Sequence, residues 1–175
     1  TTTAMFKIYY GTIGVSVMSS TLSAARRNIR AVSSNVSVYY GPGVGSTQRM
    51  EKMLMSSETM TTLSDTGTNR SSWGDIASTS TMYMAAGDNG SGSPLNSIQK
   101  CPFATDTVSN IVGVVSQARL LVSGTQSTTA GLIFGGLNGS TYYSTVDKFV
   151  FDTETSSAVS GLALSEALCF LGAAG

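Results

Sequence analysis

The sequence predicts an all-β fold assembled from repeated four-stranded units. Three observations carry this reading. A short alternating pattern centred on a lysine recurs at Lys7, Lys52, Lys100 and Lys148. Glycine and Asn-Gly turn signals recur in step with it. No stretch combines a 3.6-residue apolar period with helix caps.

The lysine-centred segments are Met5-Phe6-Lys7-Ile8-Tyr9-Tyr10, Met50-Glu51-Lys52-Met53-Leu54-Met55, Ile98-Gln99-Lys100-Cys101-Pro102-Phe103 and Val146-Asp147-Lys148-Phe149-Val150-Phe151. Their spacings are 45, 48 and 48. Each alternates with the two-residue period of a half-buried strand. An acid follows the lysine by six residues in three units, as Glu58, Asp106 and Glu154. An arginine follows by 18 or 19, as Arg26, Arg70 and Arg119.

In the last unit, strand a is expected near 120–124, strand b near 131–136, strand c near 142–151 and strand d near 158–164. Strand b ends in glycine: Gly41, Gly87, and the pair Gly135-Gly136. Turn signals follow at Gly41-Pro42-Gly43, Asn89-Gly90 and Asn138-Gly139. The most helix-like stretch, 22–29, aligns with strand-ending residues elsewhere and reads as a connection.

Four-stranded units of this period are the pattern of β-propeller blades, which bury their faces by stacking on one another. Three full blades are expected at 26–69, 70–118 and 119–167. Residues 1–25 supply strands c and d of an earlier blade, and 168–175 the first strand of a further one. Three arrangements stay open: closure of the chain on itself as four blades, a ring shared by two chains in a homo-oligomer, or a part of a longer propeller.

The run Arg119 … Gly131-Leu132-Ile133-Phe134-Gly135-Gly136 … Val146-Asp147-Lys148-Phe149-Val150-Phe151-Asp152-Thr153-Glu154-Thr155 resembles a kelch repeat. It has the arginine before strand a, the double glycine after strand b and the acidic turn after strand c. Only this unit has both glycines, and the aromatic that usually follows the acidic turn is missing. The wording Lys100-Cys101-Pro102-Phe103-Ala104-Thr105-Asp106-Thr107 with Ser116-Gln117-Ala118-Arg119 is similar to kelch-like repeats of phage tail-fibre, virion and environmental bacterial surface proteins. The resemblance implies a kelch-like β-propeller, placed outside a cell or on a virion.

Composition narrows the function classes. The 175 residues carry 10 basic and 10 acidic side chains, a charged fraction of 11%. So neutral a chain is poorly suited to nucleic acid or to an anionic membrane. Ser and Thr number 50, while 41% of residues are hydrophobic. That apolar content suits a packed core. No apolar run reaches the roughly 18 residues of a membrane helix. The chain has no histidine, which removes histidine-based triads and the commonest metal ligand. Cys101 and Cys169 are the only cysteines and lack a metal-ligand spacing. They read as a mutual disulfide or as two buried thiols. No cofactor or metal is implied.

Candidate binding residues lie around the b–c turns. Tyr39, Tyr40, Tyr142 and Tyr143 sit beside Asp88, Asn89 and Asn138, and Trp73 follows Arg70. Aromatic rings with polar tips next to amides suit recognition of a sugar or a protein. Alternation expects one member of each tyrosine pair to face in and one out. The repeat residues Arg26, Arg70, Arg119, Gly41, Gly87, Gly135 and Gly136 read as structural, the arginines as contacts between blades. The four lysines read as solvated outward positions, and the acids as satisfying local turn amides.

The expected function is a non-catalytic binding or structural module, extracellular or virion-borne, that presents loops to a protein or glycan. A self-assembling protein completed by β-strand exchange is the second class. A propeller glycosidase is the third; it would need a convergent arginine cluster, whereas these arginines occupy equivalent positions of different units.

Overall fold

A computed structural model describes residues 3, 5–9, 14–45, 48–63 and 67–169, with residues 7–9 as backbone only. The described residues form strands and no helix. Strands β1 (Phe6–Tyr9) and β2 (Gly14–Val17) make an antiparallel pair, sheet A. Strands β3 (Ala31–Ser33), β4 (Ser37–Tyr40), β5 (Glu51–Leu54) and β6 (Thr59–Thr62) make sheet B. Strands β7 (Gly74–Ala77), β8 (Thr81–Ala85), β9 (Ser97–Pro102) and β10 (Ser109–Val114) make sheet C. Strands β11 (Ser123–Gln126) and β12 (Ala130–Phe134) lead to a small hairpin, β13 (Leu137–Asn138) and β14 (Thr141–Tyr142). Strands β15 (Thr145–Val150) and β16 (Thr155–Ala163) then join β11 and β12 in sheet D. Sheets B, C and D are each four-stranded antiparallel meanders in chain order a-b-c-d.

Each a–b hairpin is closed by the same device. The hydroxyls of Ser34, Ser78 and Ser127 accept backbone N–H bonds from residues two and three further on. Their own amides donate to Ser37, Thr81 and Ala130. A serine oxygen thus satisfies the donors that a tight turn leaves unpaired. The c–d turns are equally uniform. Glu58, Asp106 and Glu154 all take left-handed backbone, with φ of 56, 56 and 50°.

The sheets pack through their strands a and b, and sheets C and D also through their strands d, β10 and β16. β7 lies against β3 on one side and against β11 and β12 on the other. Small residues let the backbones approach. A Cβ on Gly124 would lie 2.5 Å from the Asp75 carbonyl, and one on Gly131 2.6 Å from Ile76 Cδ1. One apolar cluster between sheets C and D contains Ile76, Tyr83, Ile98, Ile133, Phe149 and Phe151. Another, between B and C, contains Tyr39, Met50, Trp73, Met82, Met84 and Cys101.

The structure corrects two details of the sequence reading. Strand c of the last unit does not run continuously from residue 142; the β13–β14 hairpin, turning at Asn138-Gly139, comes first. The counterpart of Gly87 and Gly136 is Gly43, not Gly41. A Cβ at any of these three would meet a backbone carbonyl, of Arg27, Ser71 or Leu120, at 2.5–2.7 Å. Each of those carbonyl residues directly follows a repeat arginine. Gly41 matters for a different reason. Its missing side chain leaves room for the Trp73 ring, 2.2 Å from where a Cβ would be. Cys101 and Cys169 are free thiols. The expected first strand at 168–175 lies mostly outside the described residues.

Candidate functional site

Two sets of charged residues recur through the sheets. The first is the arginines. Arg26 Nη2 pairs with Glu51 at 2.5 Å and Nη1 donates to the Arg49 carbonyl. Arg119 pairs with Asp147 at 2.5 Å and donates to the carbonyls of Ile133, Gly135 and Thr145. Arg70 donates to Gln99 Oε1, to the Ala86 and Ser97 carbonyls and to the Ser97 hydroxyl. All three guanidiniums are buried, and burial lowers the pKa of each, that of Arg70 to about 10. Every one of these partners belongs to the arginine's own unit. The expectation of inter-blade contacts is therefore corrected: each arginine braces its own sheet, tying the loop before strand a to strands b and c.

The second set joins neighbouring sheets. Lys52 Nζ of sheet B lies 2.8 Å from Asp106 Oδ2 in the c–d turn of sheet C. Tyr39, paired with Lys52 across β4 and β5, donates its hydroxyl to Asp106 Oδ1 at 2.8 Å. Lys100 of sheet C lies 2.7 Å from Glu154 Oε1 in the c–d turn of sheet D, and Tyr83 donates to the same oxygen at 3.4 Å. Both lysines are partly buried. They are not the solvated outward positions expected, and the acids do not merely serve their own turns. Burial, then the nearby carboxylates, push the phenols of Tyr39 and Tyr83 up to about 12. The hydrogen bond to Asp106 raises the Lys52 pKa.

These placements sort the candidate binding residues. Tyr39 and Trp73 are 1% and 0% exposed, so neither offers surface to a ligand. For Tyr39 this agrees with alternation, since Tyr40 takes the other face of β4 and is half-buried. Trp73 is enclosed because Gly41 vacates space for it. Asp88 is buried, accepting from the Ser71 hydroxyl at 2.5 Å and the Gly90 amide at 2.8 Å. It shapes its loop and is not displayed. Asn89 accepts the amides of Ser91 and Ser93 and is half-buried. Asn138 is exposed and donates to the Ala118 carbonyl. Tyr142 is 53% exposed, and Tyr143 is half-buried beside it.

The b–c connections thus leave Tyr142, Asn138, Asn89 and the edges of Tyr40 and Tyr143 at the surface. Nearby are the loops that precede the strands a, where Asn28, Ser72 and Leu121 take equivalent left-handed positions with φ of 55, 55 and 58°. They border a cleft of about 220 Å³ with Ile29 and Arg30. Arg30 Nη2 reaches the Val122 carbonyl at 3.4 Å, spanning from sheet B to sheet D. A second cleft of about 160 Å³ includes Asp75, Gly124 and Gln126. Burial raises the Asp75 pKa, and Arg30 partly opposes it. Both clefts fall below the roughly 300 Å³ typical of a small-molecule pocket. Arg30 and Asp75 carry no repeat signature, so nothing in the sequence marks either.

Among the described residues, no three Asp, Glu or Cys come together as metal ligands. No family model matches the chain, and no curated protein matches it.

Proposed function

We propose that the chain is a non-catalytic binding module of kelch-like β-propeller type, acting outside a cell or on a virion, which recognises a protein or glycan through its b–c loops. One observation carries this reading. The repeat arginines, and the lysines of sheets B and C with their acids, are committed to braces and clamps, while the loop surface retains exposed tyrosine and amide groups, Tyr142 above all. Rigid aromatic area with a polar tip, flanked by amides, matches how saccharides and protein surfaces are held. The repeat supports the propeller: three meander sheets of one design stack through their first strands, as blades do.

A glycan array tests this, with Tyr142→Ala and Asn138→Ala beside the parent chain. Binding to a defined glycan that falls at least tenfold in Tyr142→Ala is the expected result. Saccharide hydrolysis that survives both substitutions would overturn it.

A further inference from the structure

The repeat supplies its own template for a surface that has no counterpart in the described chain. In sheet B, Tyr39 and Lys52 stand paired across strands b and c and receive Asp106. In sheet C, Tyr83 and Lys100 stand the same way and receive Glu154. In sheet D the equivalent pair is Leu132 and Lys148. Lys148 is exposed, and no carboxylate reaches it among the described residues. It borders a cleft of about 420 Å³ walled by Thr125, Leu132, Val159 and Leu162. Leu162 is 47% exposed there.

What fills the equivalent places is specific. An aromatic residue packs on each tyrosine, Phe103 on Tyr39 at 5.0 Å and Phe151 on Tyr83 at 5.5 Å between centroids. Three residues later the acid arrives on left-handed backbone, followed by threonine: Phe103-Ala104-Thr105-Asp106-Thr107 and Phe151-Asp152-Thr153-Glu154-Thr155. We propose that the open face of sheet D is a docking surface for a polypeptide β-hairpin of this chemistry, an aromatic residue followed at the third position by a turn carboxylate that pairs with Lys148.

Charge complementarity selects this occupant. An unmatched ammonium beside exposed Leu162 and half-buried Val159 favours a ligand that brings both a carboxylate and an apolar ring. A second molecule of the same chain is a poorer match. Its Asp106 and Glu154 are already bound to lysines, and its Glu58 is also engaged. At the same offset from its first lysine it carries Ile13, with no charge. The docking surface is distinct from the b–c loops and stands whether or not those loops bind a ligand.

The probe is a disulfide-closed hairpin spanning residues 98–113 with Cys101→Ser, fluorescently labelled and titrated with the intact chain at low salt. Saturable binding is expected. It should weaken about tenfold when the probe carries Asp106→Asn, and about tenfold when the chain carries Lys148→Met. Leu132→Tyr, which installs the tyrosine of the other units, should tighten it about threefold. Lys148 is exposed, so an unchanged thermal melt is expected for the Met variant and is checked alongside. Absence of binding, or equal binding by the parent and Lys148→Met, overturns the proposal. So does a self-association, seen by sedimentation, that saturating hairpin fails to displace, because a second molecule would then occupy the face.

Discussion

The Lys100 ammonium sits between both carboxylate oxygens of Glu154, at 2.7 and 2.9 Å, although 54 residues separate the two in sequence. The pair joins sheet C to sheet D, just as Lys52 and Asp106 join B to C. Both of its side chains keep 30% exposure, so water still screens it. A double-mutant cycle of Lys100→Met and Glu154→Gln should give a coupling of about 1 kcal/mol, the upper end for such pairs. Urea unfolding of the four proteins measures it, and the coupling should shrink in high salt.

The arginine brace should be far more costly to break. Arg119 and Asp147 are fully buried. Arg119→Met leaves the Asp147 carboxylate buried without its counter-charge, bonded only by the Ser116 amide and hydroxyl, and a loss of roughly 3–5 kcal/mol is expected. Adding Asp147→Leu should recover much of it, because the stranded charge goes too. Chemical denaturation of the single and double variants decides between a charge effect and simple loss of packing.

Glycine substitutions should separate close approach from backbone preference. Gly124 has an ordinary backbone, yet a Cβ there would lie 2.5 Å from the Asp75 carbonyl, which has no flexible end to move aside. Gly124→Ala should destabilise by about 2–3 kcal/mol. Gly139 has φ of 60° and open space around it. Gly139→Ala should lose only about 1 kcal/mol, the left-handed backbone term. Equal losses at the two sites would contradict the tight stacking of β7 on β11.

Alkaline pH should loosen the junctions. The phenols of Tyr39 and Tyr83 are raised to about 12, against about 10 in an unfolded chain. Their folded pKa is the higher one, so their contribution to stability is intact below pH 10 and is lost as pH climbs from 10 to 12. Absorbance titration at 295 nm should show these two among the late-ionising tyrosines of the seven in the chain. Asp106→Asn should bring Tyr39 down, since the neighbouring carboxylate adds to the effect of burial.

Much of this architecture can be read from the chain because strands announce themselves locally. The six-residue alternation around each lysine places β5, β9 and β15, and the Asn138-Gly139 turn marks a hairpin tip. What stays hidden is relational. Lys52 and Lys100 look like solvated positions because their carboxylates come from the next unit, some fifty residues on. Gly41 looks like the strand-ending glycine where Gly43 is the true counterpart, because the approach that requires glycine involves a carbonyl of a distant loop. Ser34, Ser78 and Ser127 stand eight residues after Arg26, Arg70 and Arg119, a constant offset. The abundance of serine around them conceals it.

Each repeat arginine bonds only within its own unit, whereas the lysine–acid clamps use the same parts at the B–C and C–D junctions. The tyrosine–lysine pairs of sheets B and C would therefore accept each other's acidic turn. A chain built this way is editable in whole modules: excising 70–118 would bring Lys52 opposite Glu154, and duplicating that stretch would insert one more interchangeable joint. Copy number, rather than the sequence of any single unit, is then the variable through which such a protein can change its size while keeping the same kind of clamp at each joint.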